Sequence, residues 1–238
     1  MYTSNRFTVD EIIAAWMQVK QEAGVYTLER VALRHAILQS LAQGRPISQG
    51  QAAAVSGLPP ATVAALFAEM AQTGGADFDA GGHIVGLALT LNPTSHGFNI
   101  DGRQLYAWCA IDTLFLPGQI GRSAQVASVC PISGAPIRLT ITPRGVTAVE
   151  PKSVVVSVDV PGHPSACGTD ARQTDAQPLD GAAGASCSSM HYLRARAEGE
   201  QWRAAHSNVA ILSLADAWRV ANAVWIEPFQ QALATLPG

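Results

Sequence analysis

The sequence predicts an α+β protein, with an N-terminal helical, winged-helix-like part followed by a mixed, mainly antiparallel sheet domain with flanking helices. Three patterns carry this reading. Apolar residues recur at helical spacing between capping signals over residues 8–72. Short β-branched runs between Gly and Pro turns fill residues 98–160. Helical periodicity returns around Trp202 and after Ser213. The turn-rich string Asn92-Pro-Thr-Ser-His-Gly97 is the expected joint, dividing the chain into residues 1–92 and 93–238.

Thr8-Val-Asp-Glu11 has the form of a capping box, and Ile12, Ile13, Trp16 and Val19 follow on one helical stripe up to Gly24. A second helix is expected over residues 27–43, stopped by Gly44, with His35 at its boundary. Residues 46–72 read as helix-turn-helix around Gly57-Leu-Pro-Pro60, and residues 76–79 pair with a strand over 83–90 as a hairpin or wing. Beyond the joint, a hairpin through Asp101-Gly102 leads into Leu105-Tyr-Ala-Trp108. A helix is expected to run from Cys109 to Phe115, ended by Pro117-Gly118.

Runs at residues 124–129, 137–141, 146–149 and 154–160 are expected to share one antiparallel sheet. Residues 161–186 are poor in large apolar side chains and read as a long exposed loop, which makes Cys167 exposed and dispensable. A strand over 187–193, a helix around Trp202 and a last helix from Ser213, kinked near Pro228, complete the chain.

With 238 residues, 48% of them hydrophobic, the chain is long enough to bury a substantial core. Only 14% are charged and the net charge is −3, which gives no general attraction to nucleic acid or anionic lipid. Between Ser48 and Thr90 there is no Lys or Arg, while Glu69, Asp77 and Asp79 are acidic. A DNA reader needs cations on phosphates, so the winged-helix-like unit is expected to pack or cover rather than bind nucleic acid. No apolar run is long enough to span a bilayer, and the polar, charge-interrupted start does not read as a secretory leader. The expected location is the cytoplasm, where Cys109, Cys130, Cys167 and Cys187 are reduced thiols rather than a disulfide framework.

Chemistry is best sought where a thiol and a carboxylate sit three residues apart in an apolar run. At the start of a helix, Cys109 and Asp112 share one face with Cβ atoms roughly 5–6 Å apart. The helix N-terminus favours the thiolate there, and Asp112 disfavours a second negative charge, so the pair suits the holding of one proton. Common hydrolase, nucleotide and zinc-protease signatures are absent. Two chemistries remain open on the residues alone: a cysteine hydrolase with Cys109 as nucleophile and His191 or His206 as base, and soft-metal chemistry on thiolates with a carboxylate.

Five strings taken together narrow the choice: Leu105-Tyr-Ala-Trp-Cys-Ala-Ile-Asp-Thr-Leu114, Ile120-Gly-Arg122, Cys130 followed by Ser133-Gly-Ala-Pro136, Ala148-Val-Glu-Pro151, and Cys187 with His191. In these the chain resembles the organomercurial (alkylmercury) lyases of bacterial mercury-resistance systems. The resemblance runs from the Gly44-Arg-Pro46 turn to the last helix. It implies protonolysis of a carbon–mercury bond, giving a hydrocarbon and Hg(II). It implies further that Cys109, Asp112 and Cys187 are the catalytic, mercury-touching groups, that Cys130 is structural, and that the N-terminal unit does not act on DNA.

No cofactor is implied. The resemblance implies that Hg(II) stays bound as product until mercuric reductase or low-molecular-weight thiols accept it. Tyr106, Trp108, Phe115 and Leu116 are the expected walls of a dry pocket for the organic group, or else core. Many relatives carry an aromatic residue and a further cysteine where this chain has Ser186 and Ser188, and its 163–186 loop looks longer than theirs. The competing readings are a metal-responsive winged-helix regulator, which would shift a promoter fragment at low salt, and a thiolate metal carrier, which would bind Hg(II) and release no hydrocarbon.

Overall fold

The computed structural model describes residues 6–162, 187–206 and 208–236. The expected loop over 163–186, with Cys167 and Ser186, lies outside the described residues.

Helix α1 (Val9–Glu22) opens on the Thr8/Glu11 capping box, and α2 (Leu28–Ala42) ends just before Gly44 at φ 72°. Helix α3 (Gln49–Ser56) has its own box, Ser48 with Gln51, and α4 (Pro60–Thr73) starts on proline, where a missing N–H leaves no bond unmade.

Strands β1 (Asp77–Phe78), β2 (Ile84–Leu87), β3 (Leu89–Thr90), β4 (His96–Ile100), β5 (Arg103–Ala107), β6 (Ala124–Val129), β7 (Pro136–Thr142) and β8 (Gly145–Glu150) form one antiparallel sheet in the order β1-β2-β3-β5-β4-β6-β7-β8. Because β3 pairs with β5, matching Leu89 to Ala107 and Thr90 to Tyr106, this sheet runs across residue 92.

Four expectations need correction. The strand expected over 83–90 folds back at Ala88, whose φ is 64°, so that Gly86 faces Thr90. The turn is held by the Trp108 N–H on the Ala88 carbonyl at 2.9 Å. It also needs glycine at 86, where a Cβ would lie 2.5 Å from Asp77 Oδ2 and 2.7 Å from Thr90 Oγ1.

The run at 154–160 does not join the large sheet. As β9 (Val155–Asp159) it is the middle of a three-stranded sheet, between β10 (Tyr192–Leu193) and β11 (Val209–Ser213). Every β9 residue is buried, whereas β6 and β7 alternate, and a strand covered on both faces belongs in an interior sheet. The strand expected over 187–193 is mostly a 3-10 turn, Cys187–Ser189, with only β10 extended.

Helix α5 (Ala110–Ile120) passes through Pro117 and stops at Gly121, φ 77°. Proline removes one backbone bond, but every residue of α5 is buried, so tertiary packing outweighs that loss. Gly118 allows the close approach: a Cβ there would sit 2.7 Å from Ile226 Cγ2.

The chain closes with α6 (Arg196–Ala205), α7 (Leu214–Ala221) and α8 (Glu227–Ala234), and a π-helical segment, Asn222–Ile226, takes up the kink expected near Pro228. Among the described residues, no helix is long and apolar enough to cross a membrane.

Candidate active site

The site is built around the first turn of α5. Cys109 is its N-cap, and it closes a capping box with Asp112, whose Oδ2 accepts the Cys109 N–H at 3.0 Å. The box fixes the carboxylate against the residue that bears the thiol. Cys109 is 1% exposed and Asp112 7%. Burial is the largest influence on Asp112 and pushes its pKa up to about 6; the hydrogen bond from the Cys109 side chain and the charge of Arg34 oppose it.

Asp112, Phe115 and Gln119 occupy one face of α5 and line a cavity of about 190 Å³. Trp16 and Lys20 reach it from α1, Arg34 from α2, and Trp225 from the π-helical segment. Asp112 is the one carboxylate in this wall among the described residues. Trp225 stacks on Phe115 with centroids 5.5 Å apart and leans on Trp16 at 5.1 Å, while the Lys20 ammonium lies over both indoles at 5.3 and 5.5 Å.

Proline chemistry helps to place Trp225. Pro228 has no N–H for the Val224 carbonyl, and that carbonyl is taken instead by the Tyr26 hydroxyl. The next carbonyl, that of Trp225, accepts Gln119 Nε2 at 2.7 Å, and Gln119 Oε1 in turn accepts Arg34 Nε at 2.9 Å.

Trp108 lines the cavity and its Nε1 donates to Asp77 Oδ2 at 3.0 Å. Phe115 is in the wall as expected. Leu116, fully buried, is not, and neither is Tyr106, which is half-buried on β5. Two residues of strand carry Tyr106 about 7 Å from Trp108, past the cavity's edge.

The second expected thiol enters through the backbone. Residues 187–189 form the 3-10 turn, and three residues after Cys187 the Met190 carbonyl accepts the Ala110 N–H at 3.0 Å. The chain beyond Cys187 is thereby tied to the residue after Cys109. The Cys187 side chain itself lies outside the described atoms. Of the remaining candidates, Cys130 is buried and its Sγ donates to Glu198 Oε2 at 3.1 Å, well placed for a structural thiol. His191 packs between His96 and Trp202 at 5.6 and 5.0 Å, and His206 stacks on Trp202 at 4.0 Å.

Sequence reasoning missed Trp16, Lys20, Arg34 and Trp225. Their only local signal was membership of amphipathic helices, which any core residue shares.

The raised pKa of Asp112 has a consequence for stability. Unfolded, an aspartate titrates near 3.8; folded, Asp112 does so at about 6, so the native state holds the proton more tightly. Its contribution is intact below about pH 4 and is lost as pH rises through 6, a cost of up to about 3 kcal/mol at neutral pH. Asp112→Asn is therefore expected to gain stability relative to wild type as pH increases from 4 to 7.5, measured by urea unfolding. A difference that does not change with pH would contradict the raised titration of the buried carboxyl.

Comparison with known proteins gives the family. The family profile described as alkylmercury lyase matches residues 89–225. An alkylmercury lyase of Streptomyces lividans is 37% identical over 199 residues, covering 84% of this chain and 82% of that protein. One of Bacillus cereus is 35% identical over 184 residues, 77% of this chain and 76% of that protein. A crystal structure of the mercury-bound form of MerB2 superposes with TM-score 0.68 at 23% identity, covering 90% of this chain and 97% of that one, a likeness of fold. A buried thiol–carboxylate box at a helix start and relatives that extend over most of the sequence lead to one conclusion: the chain belongs to the alkylmercury lyase family.

Proposed function

We propose that this organomercurial lyase cleaves the carbon–mercury bond with Cys109, Cys187 and Asp112. The observation that carries the reading is the Cys109–Asp112 box: a carboxyl group hydrogen-bonded to the residue that bears the thiol, facing a cavity walled largely by aromatic side chains. A mercurial in that cavity meets the carboxylate first, with the thiol immediately behind it.

In the first step a thiolate displaces the substrate's leaving ligand and binds R–Hg. The second thiol then adds to mercury and gives its proton to Asp112. Asp112 delivers that proton to carbon, which takes the electron pair of the breaking carbon–mercury bond and leaves as R–H. Mercury stays Hg(II) throughout, held by two thiolates, so no redox partner is needed. Soft two-coordinate binding by sulfur suits that product.

Trp108, Phe115, Trp16 and Trp225 exclude water from the organic group, which keeps the proton transfer inside the site. Residues 1–92 act here as a winged-helix-like cover. Lys20 and Trp16 reach the cavity from that part, and the absence of Lys and Arg between Ser48 and Thr90 leaves it unsuited to DNA. No organic cofactor takes part. In a reducing cytoplasm, small thiols or mercuric reductase remove the bound Hg(II).

The test is gas-chromatographic detection of benzene from phenylmercury in the presence of excess thiol. Catalytic benzene release is expected. Stoichiometric mercury uptake without benzene would make the chain a carrier instead.

A further inference from the structure

We propose that Ser157 is a positioning residue for Cys187, an inference that rests on the reading of the site given above. Ser157 is fully buried at the centre of β9, far in sequence from both thiols. Beside it β10 pairs Tyr192 with Val156 and Leu193 with Val155, so His191 is the next partner of Ser157. The first half of that pair is regular, with the Ser157 N–H on the His191 carbonyl at 3.0 Å.

In a continuing ladder the His191 N–H would return to the Ser157 carbonyl. It donates instead to the Ser157 hydroxyl, at 2.8 Å. The hydroxyl passes its own proton on to the Ser189 carbonyl at 2.7 Å. One serine side chain thus ends the strand pairing and turns the chain away from the sheet, towards the start of α5.

The rest of the turn is held to match. The Ser189 carbonyl also accepts Trp202 Nε1 at 3.0 Å, and the Ser189 hydroxyl donates to Asp159 Oδ1 at 2.5 Å. His191 Nε2 lies 3.0 Å from the Ser188 carbonyl, and the Met190 carbonyl accepts the N–H of Ala110. Every carbonyl from 188 to 191 therefore has a partner, and Ser157 supplies two of them. Two thiolates can share one mercury only if both backbones are fixed to within a fraction of an ångström of the required separation. Cys109 is fixed by its helix; Cys187 depends on this turn.

The experiment compares wild type with Ser157→Ala, Ser157→Thr and Trp202→Phe in benzene release from phenylmercury. It also follows the ultraviolet thiolate-to-mercury absorption on adding one equivalent of HgCl2, and the melting temperature. Ser157→Ala is expected to lose kcat/KM by roughly 10–100-fold, mostly in kcat, with an altered mercury–thiolate band. Ser157→Thr, which keeps the hydroxyl, is expected to recover most of the turnover. Trp202→Phe keeps the ring against His191 and is expected to lose less than Ser157→Ala.

Wild-type kcat in Ser157→Ala, after correction for the folded fraction, would overturn the proposal, as would a Ser157→Thr variant no better than Ala. If Ser157→Ala does not fold, Trp202→Phe decides: a lowered kcat at unchanged melting temperature supports the positioning, and an unchanged kcat overturns it. Cys187→Ala, run alongside, separates the two levels. Normal turnover there overturns the reading of the site and the positioning with it, whereas an inactive Cys187→Ala beside a fully active Ser157→Ala overturns the positioning alone.

Discussion

Cys109→Ala and Cys187→Ala are each expected to lower hydrocarbon release from phenylmercury by about 10⁴-fold or more, as removal of one member of a concerted catalytic set does. With a single sulfur ligand, mercury keeps its carbon partner in a satisfied two-coordinate arrangement. Nothing then weakens the bond. Cys187→Ala should still take up one equivalent of phenylmercury at Cys109, so binding and cleavage separate in that variant. Gas chromatography of the headspace and mercury analysis of the desalted protein read the two properties independently. Turnover at the wild-type rate in either variant would remove that thiol from the mechanism.

Asp112→Asn is expected to keep Hg(II) binding and lose turnover by about 10²–10⁴-fold, the usual worth of a positioned acid–base group. Asparagine preserves an acceptor for the Cys109 N–H, so the first turn of α5 stays closed. What it cannot do is carry a proton. Since burial pushes Asp112 up to about 6, it is ionised at neutral pH and ready to take the proton of an incoming thiol. Wild-type turnover should therefore fall as pH drops through about 6, and the residual rate of Asp112→Asn should lack that acid limb. An identical limb in both would assign it to another group.

Much of this was legible locally. The Thr8/Glu11 box, the Asp101-Gly102 hairpin and the Ser213 start each depend on residues within one turn of each other, and the folded chain has them where the spacing puts them. The Cys109–Asp112 pair is local too: the two residues expected to share one helix face are joined by a capping bond.

What escaped depends on distant packing. Pro117 reads as a helix end until Ile226 packs on Gly118 and the whole helix is enclosed. The valine-rich 154–160 run gives no clue to which sheet it joins; its neighbours β10 and β11 come from later in the chain. The cavity wall pairs Trp16 with Trp225, and no periodicity links positions so far apart. Ser157 is the extreme case: a lone serine in an apolar strand gains meaning only when the turn after Cys187 is laid beside it.

Cleavage by a pair of thiolates is tested most directly by a single turnover without added thiol. Protein in excess of phenylmercury is quenched, and the benzene released is compared with the loss of titratable thiols in the same sample. One benzene per phenylmercury together with the loss of two thiols in wild type, and no benzene from Cys187→Ala, is the expected result. Benzene formed with the loss of a single thiol, or formed equally well without Cys187, would contradict cleavage by a pair of thiolates.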